Sequence, residues 1–444
     1  MNNTIKKPQP TFLFRWTILL LISLAMFGNY YIYDSISPLA DLLVKQLKFT
    51  DSDIGLLQGI YSFPNIIMVL IGGIIIDKIG TRISVLIFTA LVMIGSVVTA
   101  LTGNLYIMAL GRLIFGLGAE SMIVAITTII ARWFKGKELS LAFGLNLTVA
   151  RLGSFLALNS PTWGKSFYEY WQSPLLITVA AGVFAVIAIG LYYILDMIGS
   201  RKFELPAEGQ QEKVVLKEVF TFPKAFWYIT ALCVTFYSAM FPFQTFAIKF
   251  FQDAHGTTRE VGGNLSSILT LAAMIFTPLF GLLADKIGKR SWLMMFGSLL
   301  IIPVYLMMAY KVGKPDVMSD SDFIRLTISF FDIDVAIPIY LILPMSMMGI
   351  AFSLVPAVMW PSVALIVDNA KLGTAYGLMT MIQNIGLFAF NIIIGYANDV
   401  SGASATNPAG YNAGMWIFST LGFFGLVFAY LLKKSQRQLD AKPE

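Results

Sequence analysis

The sequence holds one cysteine, Cys233, and one histidine, His255. That scarcity excludes a disulfide framework, a zinc site and a Cys/His catalytic pair together. No metal, no cofactor and no covalent chemistry is expected, and the chain does not read as an enzyme. Charge is also scarce, at 13% of 444 residues, where a soluble domain carries roughly a quarter. With 57% hydrophobic residues and a mean hydropathy of +0.75, a soluble protein is excluded. The 14% aromatic content and 36 glycines fit neither a disordered nor a collagenous chain. What is present is a series of long apolar runs, such as 12–33, 83–101 and 175–195. About 20 helical residues at about 1.5 Å rise cross a hydrocarbon core of about 30 Å, so each can span a bilayer. A net charge of +6 does not point to nucleic acid here, because Lys/Arg excess in a membrane protein records its cytoplasmic loops.

Hydropathy broken at charge clusters and Gly/Pro turns predicts an all-α membrane protein of twelve spans. They lie near 14–38, 54–77, 82–102, 106–132, 138–161, 172–198, 223–252, 261–284, 291–310, 336–367, 371–398 and 412–432. The expected organisation is a six-helix bundle over 1–198, a cytoplasmic linker over 199–222 and a second six-helix bundle over 223–444. With the N-terminus in the cytoplasm, 21 of the 31 basic residues fall inside. Eight fall outside (Lys45, Lys48, Lys165, Lys249, Arg259, Lys311, Lys314 and Arg325), and Arg112 and Arg151 remain within helices. This split favours both termini in the cytoplasm. Within the linker, Val214–Phe220 is expected to form a short amphipathic turn on the membrane surface. The insert Lys311–Pro338, with five aspartates against three basic residues, is expected outside.

The chain also repeats itself. Gly73, Asp77, Lys78, Ile79, Gly80 and Arg82 recur as Gly281, Asp285, Lys286, Ile287, Gly288 and Arg290 at a single offset of 208. Ala142, Gly144 and Gly153 recur as Ala375, Gly377 and Gly386 at an offset of 233, which sets Asn384 in the place of Arg151. Two halves related by an axis along the membrane normal follow. The glycines let helices approach closely. Asp77 or Asp285 can meet a loop arginine and the positive N-terminus of a helix in the other half, forming a latch that opens and closes. An ordinary positive-inside turn is the plainer reading of one such loop, and a matched pair argues against it.

These loops, with Arg112 in the run Gly111 to Gly118, resemble the major facilitator superfamily over essentially the whole chain. Further segments are similar to its lysosomal dipeptide transporter branch: Phe27 to Asp34, Tyr61 to Asn65, Gly118 to Ser121, Trp133 to Leu139, Ala150 to Ser154, Phe241 to Phe243, Leu372 to Gly377, and Gln383 with Asn384. The resemblance implies movement of dipeptides or similar small zwitterions, by uniport or secondary active transport, with the charged termini recognised by Glu120 and Arg151. It also implies a structural role for Arg112, with coupling left open. No Glu-x-x-Glu-Arg run stands in span one, unlike proton-coupled oligopeptide carriers, and span five lacks the Gly-Pro-x-x-Gly-Gly run of drug/proton antiporters. The N-terminal tail carries no acidic dileucine signal, and a prokaryotic plasma membrane is expected ahead of a lysosome. The chain is expected to work as a monomer.

A charge at mid-bilayer costs roughly 2.5 to 3.5 kcal/mol even on permissive scales. Glu120 lies about 18 Å and Arg151 about 20 Å from the inner ends of adjacent antiparallel spans, so they share one depth. A salt bridge that only pins two helices is one reading. The other is a site in which the guanidinium takes a carboxylate and Glu120 an ammonium. Further wall candidates are Tyr30, on a stripe with Phe27, Tyr31 and Asp34; Tyr237 and Phe241, on a stripe with Gln244; and Asn384, Gln383 and Trp360. Such aromatic stripes are more often packing than binding. Lys249 is a weaker candidate that could be snorkelling. Asp34 and Glu120 are candidates for proton coupling, and Asp77, Arg82, Asp285, Arg290 and Arg112 for conformational roles. Alternatives are a proton-coupled carrier of a small organic anion, and a receptor or scaffold that no longer transports. The topology predicts that cysteines replacing Ser200 and Ser319, in a Cys233→Ala background, react with an impermeant thiol reagent from opposite sides; labelling from one side contradicts twelve spans.

Overall fold

The computed structural model describes residues 8–134, 138–205, 221–328, 333–368 and 371–435. The first six spans begin with α1 (Phe12–Asp34), which a 3-10 turn at Ser37–Leu39 connects to α2 (Ala40–Leu47). They continue through α3 (Asp51–Gly59), α4 (Ser62–Ile79), α5 (Thr81–Leu101), α6 (Leu105–Trp133), α7 (Leu139–Leu158), the single turn α8 (Ser160–Trp163) and α9 (Gln172–Lys202). The last six are α10 (Lys224–His255), α11 (Arg259–Ile287), α12 (Arg290–Ala309), α13 (Ile339–Val363), α14 (Leu372–Val400) and α15 (Asn412–Ser435). Between α12 and α13 stand two strands, β1 (Phe323–Ile328) and β2 (Ile333–Pro338). Among the described residues eleven helices are long and apolar enough to cross a membrane, or twelve when the bent pair within 51–79 is taken as one span. Most of the expected linker, including Val214–Phe220, lies outside the described residues.

Three differences from the expected spans have local causes. The α-helix of span one stops at Asp34 rather than 38, and the span runs on to Leu47 through the 3-10 turn that holds Pro38, which offers no N–H to continue the helix. Span two breaks at Ile60–Tyr61, ahead of Pro64 in the first turn of α4, and its parts Asp51–Val69 and Ile71–Ile79 meet at 55°, beside Gly72 and Gly73. Span ten starts at Ile339 rather than 336, because Ile333–Pro338 pairs antiparallel with Phe323–Ile328, Phe323 facing Pro338 and Ile328 facing Ile333. The β-branched alternation of Ile333, Val335 and Ile337 is a strand signal that merges, in hydropathy, with the apolar span behind it.

Because successive spans run antiparallel, one face of the molecule carries the start of α1 and the end of α15, and the other carries the hairpin. One buried cluster, from Ile18 to Phe203, belongs wholly to the first six spans. The second spreads through the last six and takes in Ile36, Leu39, Leu43, Ile54 and Leu57 from the hairpin-face ends of α1 to α3. Gly55 brings α3 directly against the Asn391 carbonyl of α14, where a Cβ would collide with backbone. On the terminal face a Cβ at Gly144 or Gly281 would meet nothing within 4 Å.

Arg112 holds the hairpin-side joint of the first six spans. Only 1% exposed, it donates to the carbonyls of Ile32 (3.0 Å), Tyr33 (3.2 Å) and Leu57 (3.2 Å) and to Gln58 Oε1 (2.8 Å). It thereby satisfies backbone acceptors near the end of α1 and in the last turn of α3. Arg112→Met would strand these acceptors, at about 1 to 3 kcal/mol for each one left buried and unpaired. A markedly lower thermal midpoint in detergent is expected, with Arg112→Lys recovering only part; an unchanged midpoint for Arg112→Met contradicts this role.

Candidate functional site

Between the two groups of spans lies a central cavity of about 250 Å³. Its walls include Tyr30 from α1, Glu120 from α6, Arg151 from α7, Tyr237 and Phe241 from α10, Trp360 from α13, and Gln383 and Asn384 from α14. All eight residues named from sequence as substrate contacts therefore line one space. Asn29, Tyr33, Tyr61 and Thr380 also line it and were not singled out as contacts. Tyr33 stands three residues beyond Tyr30, one helical turn away, and that spacing is a signal that would have found it.

The two charges in this cavity do not meet each other. Glu120 accepts a hydrogen bond from Tyr61 Oη at 2.8 Å. The Arg151 guanidinium sits between the rings of Tyr30 (5.3 Å) and Phe352 (5.5 Å). Among the described residues Arg151 has neither a hydrogen bond nor an ion pair. Cation–π contact holds its position while leaving its donors unused. Across the cavity, Trp360 Nε1 donates to Tyr237 Oη at 2.9 Å, and the Tyr237 ring stacks on Phe241 at 5.6 Å. Asn384 Nδ2 donates to the Thr380 carbonyl at 3.0 Å, and its Oδ1 is buried without a partner. Cys233 donates weakly to Gln383 Oε1 at 3.5 Å. The cavity thus offers an unpaired cation, a carboxylate held by one phenol, amide groups and an aromatic lining. Among the described residues no three His, Cys, Asp or Glu side chains are grouped to hold a metal ion.

Asp34 is 7% exposed at the end of α1 and does not line the cavity. Phe27 stacks on Tyr31 at 6.4 Å. Gln244 contributes its backbone carbonyl, which accepts from Ser37 Oγ at 2.6 Å across the two groups. Lys249 neither snorkels nor lines the cavity. Buried to 6% exposure, it pairs with Asp51 (3.0 Å) and Asp253 (3.2 Å) and donates to Tyr411 Oη (2.7 Å). Asn398 also donates to Asp51 (3.0 Å), and the Asp399 carboxylate accepts from the N–H groups of Asp51 and Ser52 (2.8 Å each), so α14 caps the N-terminus of α3. Arg259 bridges from α11 to Asp41 of α2 at 2.6 Å. These polar ties between the groups all belong to the hairpin face.

The repeated loops are not equivalent. Arg290 pairs with Asp285 of its own loop at 2.7 Å, an exposed contact. Arg82, expected as Asp77's loop partner, is instead engaged by Asp196 of α9, at 2.6 Å, and by Ser200 Oγ at 3.0 Å. Asp196 is fully buried and also accepts from Trp133 Nε1 at 2.8 Å. Asp196 was not singled out from sequence. It is the one acid in a strongly apolar stretch, a signal available to inspection.

Two groups of six spans around a polar, aromatic-walled cavity form a membrane transporter. A sequence model of the Major Facilitator Superfamily matches residues 22–310 and 243–444, and the chain belongs to that superfamily. Lysosomal dipeptide transporter MFSD1 of Bos taurus is 32% identical over 402 residues, covering 87% of this chain and 80% of that protein. The Danio rerio protein of that name is 30% identical, over 88% and 82%. Among solved structures, a bacterial homolog of the human lysosomal transporter Spinster superposes with a TM-score of 0.75 at 16% identity, over 98% of this chain and all of that one. The nucleoside transporter NupG does so at 0.70 and 15%, over 95% and 98%.

The Lys249 network yields a direct expectation. Lys249→Met would leave Asp51 and Asp253 without their cation, and removing one partner of a buried ion pair costs about 3 to 5 kcal/mol. Opening the hairpin face hydrates those carboxylates, so the variant should favour that state. A cysteine at Thr380, in a Cys233→Ala background, should then react many-fold faster with an impermeant reagent applied to the hairpin face. Asp51→Asn combined with Lys249→Met should reverse part of the gain. An unchanged rate in Lys249→Met removes the network from gating.

Proposed function

We propose that this transporter carries dipeptides or similarly small zwitterions without nucleotide hydrolysis, by alternating access at the central cavity. Arg151 takes the substrate carboxylate, Glu120 the ammonium, and Tyr30, Tyr237, Phe241, Trp360, Gln383 and Asn384 the peptide between them. The observation that carries the reading is that Glu120 and Arg151 line one cavity and, among the described residues, form no ion pair with each other. A bridge serving only to pin two helices would be closed. Opposite charges held apart by a phenol and two rings are complementary to a molecule with an end for each. The names of the Bos taurus and Danio rerio relatives point to the same substrate class.

The moving units are residues 1–198 and 223–444, joined by 199–222 and working as a monomer, and the site lies where they meet. The basic-residue split supports a cytoplasmic terminal face, and the polar ties on the hairpin face support a state closed toward the outside. Asp77 opposes a helix N-terminus of the other half when the cytoplasmic face closes. The plasma-membrane expectation gains nothing from the MFSD1 relatives, whose names place those proteins at the lysosome.

If a planar fork grips the carboxylate, Arg151→Lys keeps the charge but loses bidentate geometry. Dipeptide uptake into proteoliposomes should fall at least about tenfold, equivalent to about 1.4 kcal/mol. Glu120→Gln should impair uptake of free dipeptide much more than that of its N-acetylated form, which has no ammonium to pair. Undiminished uptake by the Glu120→Gln, Arg151→Met double variant would show that the pair is not the site. Uptake that responds only to a proton gradient, and equally to simple carboxylates, would favour the organic-anion carrier.

A further inference from the structure

A second and larger cavity, of about 540 Å³, lies under the hairpin. Thr162 and Lys165 line it from the segment after α7, in the first group of spans. The second group contributes Glu260 from the first turn of α11, the Gly256–Thr258 turn, His255, Lys314, and a wall that includes Met318, Phe323 and Val335. Lys165, Lys314 and Glu260 all face this space, and among the described residues no ion pair engages any of the three. Thr257 Oγ1 and His255 Nε2 are buried there without hydrogen-bond partners, while His255 Nδ1 is 2.9 Å from Tyr340 Oη. Burial, and then the charge of Lys314, hold the neighbouring Lys311 ammonium below its usual range.

We propose that this cavity is a second binding site for a small zwitterion with an apolar side chain, which ties the two halves together on the hairpin face. Its carboxylate lies between Lys165 of one half and Lys314 of the other, its ammonium faces Glu260, and its side chain rests on Met318, Phe323 and Val335. The floor is already sewn across the halves, since Asn264 Nδ2 donates to Thr162 Oγ1 at 3.1 Å. Opening the hairpin face would carry Lys165 away from Lys314 and dismantle the site. An occupant therefore binds one state only and shifts the population toward it. Solute on the hairpin side acts as a brake on opening toward that side, separate from the cargo in the centre. The chemistry of the occupant matches the substrate class proposed above, but the site stands on residues of its own.

The test uses a cysteine at Met318 in the full chain carrying Cys233→Ala, with modification by an impermeant thiol reagent read as a rate. Alanyl-phenylalanine at millimolar concentration should slow modification several-fold. The protection should persist when Arg151→Met removes the central site and vanish in Lys165→Gln, Lys314→Gln. Both N-acetylation and C-amidation of the peptide should weaken it, and Glu260→Gln should abolish the difference between free and N-acetylated forms. Absence of protection overturns the proposal, as does protection that the lysine substitutions leave intact. Protection that disappears with Arg151→Met also overturns it, because the effect then originates at the central cavity. Loss of uptake function in the centre with protection at Met318→Cys retained would separate this site from the transport reading.

Discussion

A charge moved out of water into a low-dielectric interior is penalised by several kcal/mol even after relaxation, and most of this architecture is a response to that constraint. Among the described residues Arg112 forms no ion pair with an acid. It is instead solvated by carbonyls that the ends of α1 and α3 would otherwise leave bare. Arg82 reaches the buried Asp196. Lys249 draws two aspartates and a tyrosine around itself. In each case the charge is matched at the cost of fixing helices relative to one another. Arg151 differs: among the described residues its guanidinium makes cation–π contacts with two rings and neither a hydrogen bond nor an ion pair, which is why the proposed site for a ligand's own charge is the central cavity.

The same rule divides structural from mobile ties. The contacts of Arg82 and Arg112 lie inside one group of spans, so no relative movement of the groups disturbs them. Those of Lys249, Arg259 and Asp399 cross between groups on one face. These must break together when that face opens, and each broken tie exposes a charge to water rather than to lipid. In the proposed alternating-access cycle, water would offset most of the loss and so keep the two states close in free energy despite a dense set of bonds in one of them.

Much of this was legible in the sequence because membrane spans announce themselves by length and composition, and because the duplicated Gly-Asp-Gly-Arg loops set the register of one half against the other. Glu120 and Arg151 stood out as charges in apolar helices, and a shared depth followed from helical rise alone. The wall residues Tyr30, Tyr237 and Asn384 came from periodicity and from the repeat. Tyr33 was within reach, one helical turn beyond Tyr30, whereas Tyr61 was less visible, since a lone aromatic in a membrane helix gives no sign of which face it takes. Lys249 was misplaced for a related reason. Its partners Asp51 and Tyr411 are 198 residues behind and 162 ahead, and no local pattern links them. The hairpin was missed because its second strand shares its apolar character with the span it enters.

The bend in the second span has a mechanical meaning of its own. Its hairpin-side piece is anchored twice, by Arg112 through Leu57 and Gln58 and by Asp399 at its first N–H groups. The piece beyond the 55° angle has neither anchor and carries Asp77 at its far end. A straight rod would transmit any tilt at one end to the other. A jointed one lets the tip on the terminal face swing over a short arc while the hairpin-face portion keeps its seat, so the span can act as a finger with a knuckle, and access on the two sides of the cavity need not change in lockstep.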